Sequence, residues 1–144
     1  MADNATLTRR WFEEVWNQNR IQTVDELLDP NVVIHGLESA GRSRSGPTHF
    51  REFLSLFRSG LSDIRMTIED LLRDGDKTVA RVSLRAVHSG DGLGVPATGR
   101  PIVSTGIVIT RWKDGRIIEA WNEFDAAGLM RQLSEPGPAV KLKA

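Results

Sequence analysis

The sequence contains no cysteine and no tyrosine. Because cysteine is missing, disulfides, thiol catalysis and thiolate metal sites are excluded. Because tyrosine is missing, no mechanism can use a phenol as an acid or as a hydrogen-bond donor to an oxyanion. The chain has three histidines, and without cysteine they form no recognisable metal-binding motif. We therefore expect neither a metal nor another cofactor.

An excess of charge and a long apolar run are also missing. Lys and Arg number 19, Asp and Glu number 19, and the formal net charge is zero. This balance argues against binding to nucleic acid or to a membrane surface, since such proteins usually carry a basic excess. No stretch approaches the roughly 20 apolar residues of a membrane span, and MADNATLTRRWFEEVW lacks the apolar run of a signal peptide. We expect a soluble, cytoplasmic protein.

Helical periodicity dominates the first part of the chain. Two segments carry apolar residues three and four positions apart: Leu7, Trp11, Val15 and Trp16 in one, and Phe50, Phe53, Leu54, Phe57 and Leu61 in the other. This spacing predicts two helices with one buried side. Between them, TVDE at Thr23–Glu26 is interpreted as a capping box that opens a short helix through Leu28. Asp29-Pro30 ends that helix, and NVVIHG follows as a short strand.

From Ile64 onward the apolar period changes to two, which is typical of strands. The segments are joined by RDGDK and KDGR, and Asp-Gly turns of this kind favour hairpins. With 144 residues, the chain suits one domain with its own core. We predict a single α+β domain over residues 1–133, in which three helices cover one face of an antiparallel sheet. The Pro/Gly-rich tail, 134–144, is expected to fray.

The KDGR turn also predicts how the last two strands pair. It places Asn122 opposite Ile107 or Val108, on the side of the sheet that faces the helices. Glu119 and Glu123 then face outward, and Arg111 is the expected cross-strand partner of one of them. The outer face also carries apolar residues, namely Trp121, Val87, Ile107 and Ile109. This mixture favours a subunit interface, so we expect a homodimer through the outer face.

Five stretches in this order carry a family resemblance: WFEEVWNQN, LLDPNVVIHG, IEDLLRDGDKTVARVSLRAVHSG, GLGVPATGRPI and ITRWKDGRIIEAWNEFDAAGLMRQL. From about Leu7 to Leu133 the chain resembles the SnoaL-like polyketide cyclases, within the fold group of nuclear transport factor 2 and ketosteroid isomerase. The resemblance implies a cone-shaped fold, in which a curved, mainly antiparallel sheet wraps around three helices and encloses an apolar pocket. In cyclases of this family a pocket Asp removes a proton alpha to a carbonyl, and an aldol closure follows.

Three residues are candidates for the chemistry. The resemblance places His35 at the pocket wall, where it would act as a base or a hydrogen-bond donor; alternatively it is a structural histidine. Asn122 stands where many relatives are expected to carry Asp. It can polarise a carbonyl or hold a hydroxyl but cannot take a proton, and its alternative role is to tie down backbone. Asp125 suits the N-cap of the last helix, and at a pocket rim it would also be a usable base.

Trp16, Phe50 and Phe53 are expected in the core, where they would also line a pocket for a flat hydrophobic ligand. The indole N–H of Trp16 could in addition donate to that ligand. His88 closes a helix-facing strand and is a further candidate for substrate binding at the pocket mouth or in a loop. GLGVPATGRP lacks both a GxGxxG pattern and a P-loop lysine, so we interpret it as a hairpin loop near the mouth.

Arg42 and Arg44, in the loop before the third helix, would steer an anionic substrate or are simply solvated. The expected function is that of a cofactor-independent acid/base enzyme, a cyclase, isomerase or aldol-type catalyst, acting on a small hydrophobic carbonyl or polyketide-like substrate. His35 and Asp125 would carry the chemistry and Asn122 would orient the substrate. The alternative is a binding protein that holds a hydrophobic small molecule in the same pocket without turnover.

Overall fold

A computed structural model describes residues 2–37 and 44–134. The N-terminal helix begins as an α-helix, α1 (Asn4–Arg10), and continues as a π-helical segment (Trp11–Asn17). Three more helices follow: α2 (Ile21–Leu27), α3 (Pro47–Gly60) and α4 (Ala126–Ser134). In this part of the chain, no helix has the length and apolar character that crossing a membrane requires.

The described residues form one six-stranded sheet. Its strands are β1 (Leu28–His35), β2 (Arg44–Ser45), β3 (Leu61–Asp74), β4 (Lys77–His88), β5 (Pro101–Lys113) and β6 (Arg116–Phe124). Their order across the sheet is β2-β1-β6-β5-β4-β3. β1 runs parallel to β6, and each of the other neighbouring pairs is antiparallel. The α+β class predicted from the change of period is confirmed.

The hairpin between β5 and β6 sets the register that matters for the site. Asp114 and Gly115 have φ of 51° and 78°, the left-handed values that a tight two-residue hairpin turn requires. A bulge between Arg111 and Trp112 then shifts the pairing by one residue, so that Val108 lies opposite Asn122. The predicted pairing of Asn122 is therefore confirmed.

The second helix differs from its prediction. α2 begins at Ile21, so Thr23 lies inside the helix, where it is completely buried. Its hydroxyl donates to Glu14 Oε1 at 2.7 Å and does not cap a free backbone N–H group. The capping-box interpretation is therefore wrong, because the Thr23 hydroxyl serves a tertiary contact. Leu28, the expected end of the helix, is the first residue of β1.

The core lies between the helices and the inner face of the sheet. Thr8 and Thr78 are buried there, and their hydroxyl oxygens lie 2.9 Å apart. Thr8 donates to the Asn4 carbonyl at 2.8 Å, while Thr78 accepts from Trp112 Nε1 at 3.2 Å. Each buried hydroxyl therefore has a partner, as a polar group in an apolar core requires.

Two of the sequence predictions fall largely outside the described residues. The tail predicted from 134 is described only at Ser134, which still belongs to α4. Arg42 and the side chain of Arg44 also lie outside the described part of the chain, and the domain boundary at 133 stays a prediction.

Candidate functional site

A cavity of about 80 Å³ lies between the helices and the sheet. Its helical wall is mostly aromatic and includes Trp11, Phe12, Trp16, Phe50, Phe53 and Phe57. Its sheet wall is mostly aliphatic, with Met66, Val82, Leu84, Val108 and Ala120 among its residues. Such a lining excludes water and suits an apolar ligand. The prediction that Trp16, Phe50 and Phe53 border a pocket agrees with this arrangement.

The aromatic wall is built around Trp16. Phe50, Phe53 and Phe57 follow one another at intervals of three and four on α3, so they share one side of that helix. Their ring centroids lie 6.1, 6.4 and 5.5 Å from that of Trp16, each in an edge-on arrangement. Edge-to-face packing of this kind holds the rings in defined positions. The wall is therefore formed by mutually packed rings.

Two polar side chains that sequence reasoning missed hold the π-helical segment in place. Arg58 of α3 donates through Nη2 to the carbonyls of Val15 and Trp16, at 3.1 and 2.7 Å. Burial lowers the pKa of the Arg58 guanidinium. The Asn17 amide pairs with the backbone of Met66, accepting from its N–H at 2.6 Å and donating to its carbonyl at 3.0 Å. No local sequence signal identifies these partners, because the contacts join distant parts of the chain.

Polar groups on β5 and β6 interrupt the apolar lining. They are Ser104, Thr105, Thr110, Asn122 and Glu123, the last of which was expected on the outer face. Asn122 donates through Nδ2 to the backbone carbonyl of His35, at 2.9 Å. Asn122 therefore faces inward, as predicted, and its amide also ties down the backbone at the end of β1.

Gly36 makes this contact between β1 and β6 sterically feasible. Its φ is +86°, and a Cβ built on it would lie 2.0 Å from the backbone oxygen of Asn122. A side chain cannot occupy that space, and only glycine adopts the required conformation without strain. Sequence reasoning missed this role, although the glycine directly after VVIH was a visible signal that the strand ends in a turn.

His35 lies on the outer face of the sheet and does not border the cavity. It pairs with Trp121 across β1 and β6, and the two rings stack with centroids 5.4 Å apart and an angle of 16°. His35 Nε2 lies 2.7 Å from Glu119 Oε2, and Glu119 Oε1 lies 3.7 Å from Arg111 Nη1. The expectation that His35 stands at the pocket wall is wrong, because its neighbour Ile34 takes the inward position.

Asp125 caps the last helix. Its Oδ1 accepts from the Gly128 N–H at 2.9 Å, and its side chain is exposed. Asp125 is not among the residues that border the cavity, but Phe124 and Leu129 on either side of it are. The carboxylate therefore makes the predicted cap and is open to solvent, while its place at the pocket rim stays a prediction.

His88 is completely buried at the end of β4 and does not border the cavity. Its Nδ1 accepts from the Thr98 N–H at 3.3 Å and lies 3.0 Å from the Thr98 hydroxyl. These contacts fix the loop between β4 and β5. The position of His88 therefore does not agree with the expected role at the pocket mouth.

The described cavity can enclose an apolar molecule and orient it through hydroxyl and amide groups. Within residues 2–37 and 44–134, no three His, Asp or Glu side chains come together as a metal site would need. His35, Asn122 and Asp125 do not converge, since His35 faces outward, Asn122 faces inward, and Asp125 caps α4 outside the cavity lining.

Comparison with known proteins agrees with the fold. The model of the SnoaL-like polyketide cyclase family matches residues 6–133. The aklanonic acid methyl ester cyclase DnrD of Streptomyces peucetius is 27% identical over 139 residues, which cover 96% of this chain and 95% of that protein. DauD of Streptomyces sp. (strain C5), also an aklanonic acid methyl ester cyclase, is 27% identical over 140 residues. These residues cover 96% of this chain and 86% of DauD.

Among solved structures, wild-type IdmH from Streptomyces antibioticus superposes with a TM-score of 0.78 at 28% identity, covering 92% of this chain and 100% of IdmH. TsrD from Streptomyces laurentii gives the same TM-score of 0.78 at 28% identity, covering 93% and 98%. With a family match over nearly its whole length and a shared fold, the chain belongs to the SnoaL-like polyketide cyclase family.

Proposed function

We propose that this chain is a cofactor-independent enzyme of the cyclase, isomerase or aldol type. Its substrate is a small, hydrophobic carbonyl compound of polyketide-like chemistry, and the reaction proceeds by proton transfer. The observation that carries the proposal is the cavity itself, in which an aromatic wall faces a sheet wall with a few polar groups. Such a lining binds flat apolar molecules and fixes their orientation through a small number of hydrogen bonds.

Two groups of the lining are suited to orienting the substrate. The amide of Asn122 lies on the sheet side and is held by its bond to His35. Trp16 lies on the helical side, and its indole N–H has no hydrogen-bond partner among the described residues. Both groups would bind polar atoms of a substrate that is otherwise buried against aromatic rings.

Asp125 is the proposed acid/base group. It follows Phe124 and precedes Leu129, both of which border the cavity. Its exposed position at the rim allows exchange of protons with solvent between turnovers. Asn122 cannot take this role, because an amide does not accept a proton near neutral pH. His35 is not part of the proposal, since it faces the other side of the sheet.

A specific observation favours the second candidate function, binding without turnover. Asn122, at the position where many relatives are expected to carry Asp, lines the cavity with a neutral amide. The Asp125 carboxylate is already engaged by Gly128. A cavity of this kind can hold a hydrophobic small molecule without transferring protons.

Replacing Asp125 with Asn separates the two functions. Asparagine is as good an N-cap as aspartate, so the helix should be retained while the acid/base group is lost. The test compound is aklanonic acid methyl ester, the compound for which the two relatives are named. Its conversion is followed by liquid chromatography, and its binding by quenching of tryptophan fluorescence. Asp114→Asn, in the β5–β6 turn, is the matched control.

For an enzyme, we expect Asp125→Asn to lower kcat by roughly 100-fold or more, in the range that general acid/base catalysis provides. KM should change little, and Asp114→Asn should behave like the wild type. Equal conversion by wild type and Asp125→Asn would rule out acid/base work by Asp125. Binding of the ester from pH 5 to 8 without conversion would favour the binding protein.

We further propose that a second copy of the chain covers the outer face of the sheet. Val103 and Ile107 on β5 are large apolar residues with exposed fractions of 38% and 46%. Trp121 lies on the same face, with Lys77 Nζ and Arg111 Cζ at 5.5 and 5.7 Å from its ring centre. A central sheet face that mixes exposed apolar residues with paired charges suits an interface better than open solvent.

A further inference from the structure

The contact between Asn122 and His35 determines which way the amide of Asn122 is turned. The partner is a backbone carbonyl, which can only accept a hydrogen bond, so the amide must present its NH₂ group to it. The observed bond from Nδ2 to the carbonyl oxygen, at 2.9 Å, has this sense. An inverted amide would place two oxygens against each other.

The same constraint leaves the acceptor of the amide available. Asn122 Oδ1 receives no hydrogen bond from the described residues, although Asn122 borders the cavity. An acceptor beside an apolar lining is poorly matched to a ligand that offers only carbonyl or ether oxygens there. It is well matched to a ligand that offers a hydroxyl or enol proton, since an unpaired polar group in such a site is costly.

We propose that Asn122 is a specificity-determining residue that selects ligands with a hydroxyl or enol group, through acceptance of their proton by Oδ1. This inference rests on the proposed use of the cavity as a binding site and adds the chemical class that its polar side recognises. The rigidity comes from Gly36, whose missing side chain allows β1 to approach the backbone of Asn122. A fixed acceptor discriminates more strongly than one that can rotate away.

Two probes that differ in the donor test the proposal: 2-naphthol, which has a hydroxyl proton, and 2-methoxynaphthalene, which has none. Their dissociation constants are measured by calorimetry with the wild type and with Asn122→Leu, Asn122→Asp and Ser83→Ala. The preference for 2-naphthol is the ratio of the two dissociation constants. Dividing this ratio in each variant by the ratio in the wild type cancels the contribution of the extra methyl group of 2-methoxynaphthalene. Near-UV circular dichroism and melting temperature report whether each variant is folded.

We expect Asn122→Leu to reduce the preference for 2-naphthol about tenfold, which corresponds to the loss of one buried hydrogen bond. Asn122→Asp retains an acceptor oxygen and should keep the preference within about threefold. Ser83→Ala, which removes a hydroxyl outside the cavity lining that donates to Glu69, should keep it unchanged. Loss of the preference in Ser83→Ala, or its persistence in folded Asn122→Leu, would overturn the proposal.

A measurement on the wild type keeps the test decisive if Asn122→Leu does not fold. In protein labelled with ¹³C at the asparagine side-chain carbonyl, the signal of Asn122 should move downfield with 2-naphthol and stay in place with 2-methoxynaphthalene. Equal shifts, or equal affinity of the wild type for both probes, would refute selection by Oδ1 while leaving binding in the cavity intact. Absence of binding for both probes would refute the binding site and with it the selection. Failure of ester conversion alone would leave this inference standing.

Discussion

The close approach at Gly36 leads to a quantitative prediction about stability. Replacement of Gly36 by alanine adds one methyl group at a position with φ of +86°, and that methyl carbon would lie 2.0 Å from the backbone oxygen of Asn122. Two penalties result. One is conformational, because L-residues disfavour positive φ, and the other is steric, because a backbone atom cannot rotate out of the way as a side chain can.

The two penalties can be estimated separately. The left-handed conformation costs about 1–2 kcal/mol for a residue with a Cβ. To relieve the contact, the backbone at the end of β1 or in β6 must shift by about 1 Å. Forced overpacking of this kind costs roughly 1–3 kcal/mol. We expect Gly36→Ala to lower the free energy of unfolding by about 3–5 kcal/mol. That is a large part of the roughly 5–15 kcal/mol typical of a domain.

Gly115→Ala is the matched control. Gly115 has a φ of +78°, close to that of Gly36, but nothing lies within 4 Å of the Cβ that would be added. It should therefore show only the conformational penalty, about 1–2 kcal/mol. Urea unfolding of both variants and the wild type, followed by tryptophan fluorescence, gives the free energies, and an unchanged slope with urea shows that the values are comparable.

The difference between the two variants isolates the steric penalty. If Gly36→Ala and Gly115→Ala destabilise the protein equally, within about 0.5 kcal/mol, the contact with Asn122 does not constrain the fold. The reasoning that Gly36 fixes the geometry of the Asn122 amide would then fail as well.

Three further predictions concern other parts of the molecule. Burial would raise the pKa of Glu14, but hydrogen bonds from Thr23 and two arginines outweigh it and lower the pKa from 4.5 to about 2. Because the pKa of Glu14 is lower in the folded protein, its carboxylate contributes stability at pH values above 4.5, the pKa in the unfolded chain. This contribution is lost as the pH falls toward about 2. Glu14→Gln should therefore lose about 1–3 kcal/mol at pH 7 and show a flatter decline below pH 4.5 in urea titrations at several pH values; an unchanged decline would contradict this. Thr78→Val removes the acceptor of the Trp112 indole N–H, so the free energy of unfolding should fall by about 1–3 kcal/mol in the same assay, and a neutral result would show that this hydrogen bond contributes nothing. Ile107→Glu places a charge on the proposed interface, so light scattering should give about twice the 16.0 kDa chain mass for the wild type and the single-chain mass for the variant; a wild-type monomer would refute the interface.

The parts of the fold that sequence predicted best are those in which local chemistry determines geometry. The Asp-Gly pair at Asp114 and Gly115 requires left-handed backbone at both positions, and this specified the β5–β6 hairpin. The hairpin in turn placed Asn122 opposite Ile107 or Val108, and the bulge between Arg111 and Trp112 decides for Val108. Alternation along β6 then assigned Asn122 to the inner face without any tertiary information.

The error at His35 has a physical cause in the composition of β1. Val32, Val33 and Ile34 form a continuous apolar run, so alternation gives no indication of which set faces the core. In the structure Val32 and Ile34 are buried, with exposed fractions of 0% and 7%. His35 therefore shares the outer face with Val33, and the pairing with Trp121 that confirms this depends on a strand far away in sequence.

The separation of Asn122 and Asp125 has a consequence for how this chain could transfer protons. A carboxylate in place of the Asn122 amide would face the His35 carbonyl oxygen, so its ionised form would be disfavoured by the same contact that the amide satisfies. A proton-transfer group and a fixed hydrogen bond to this carbonyl therefore compete for one position. In this chain the amide donates to the carbonyl, and the proposed proton-transfer group, Asp125, stands three residues further along, at the exposed start of α4. Orientation and proton transfer are then assigned to two different side chains, and this is why Asp125→Asn and Asn122→Leu should affect different measurements: the first kcat, and the second the choice of ligand.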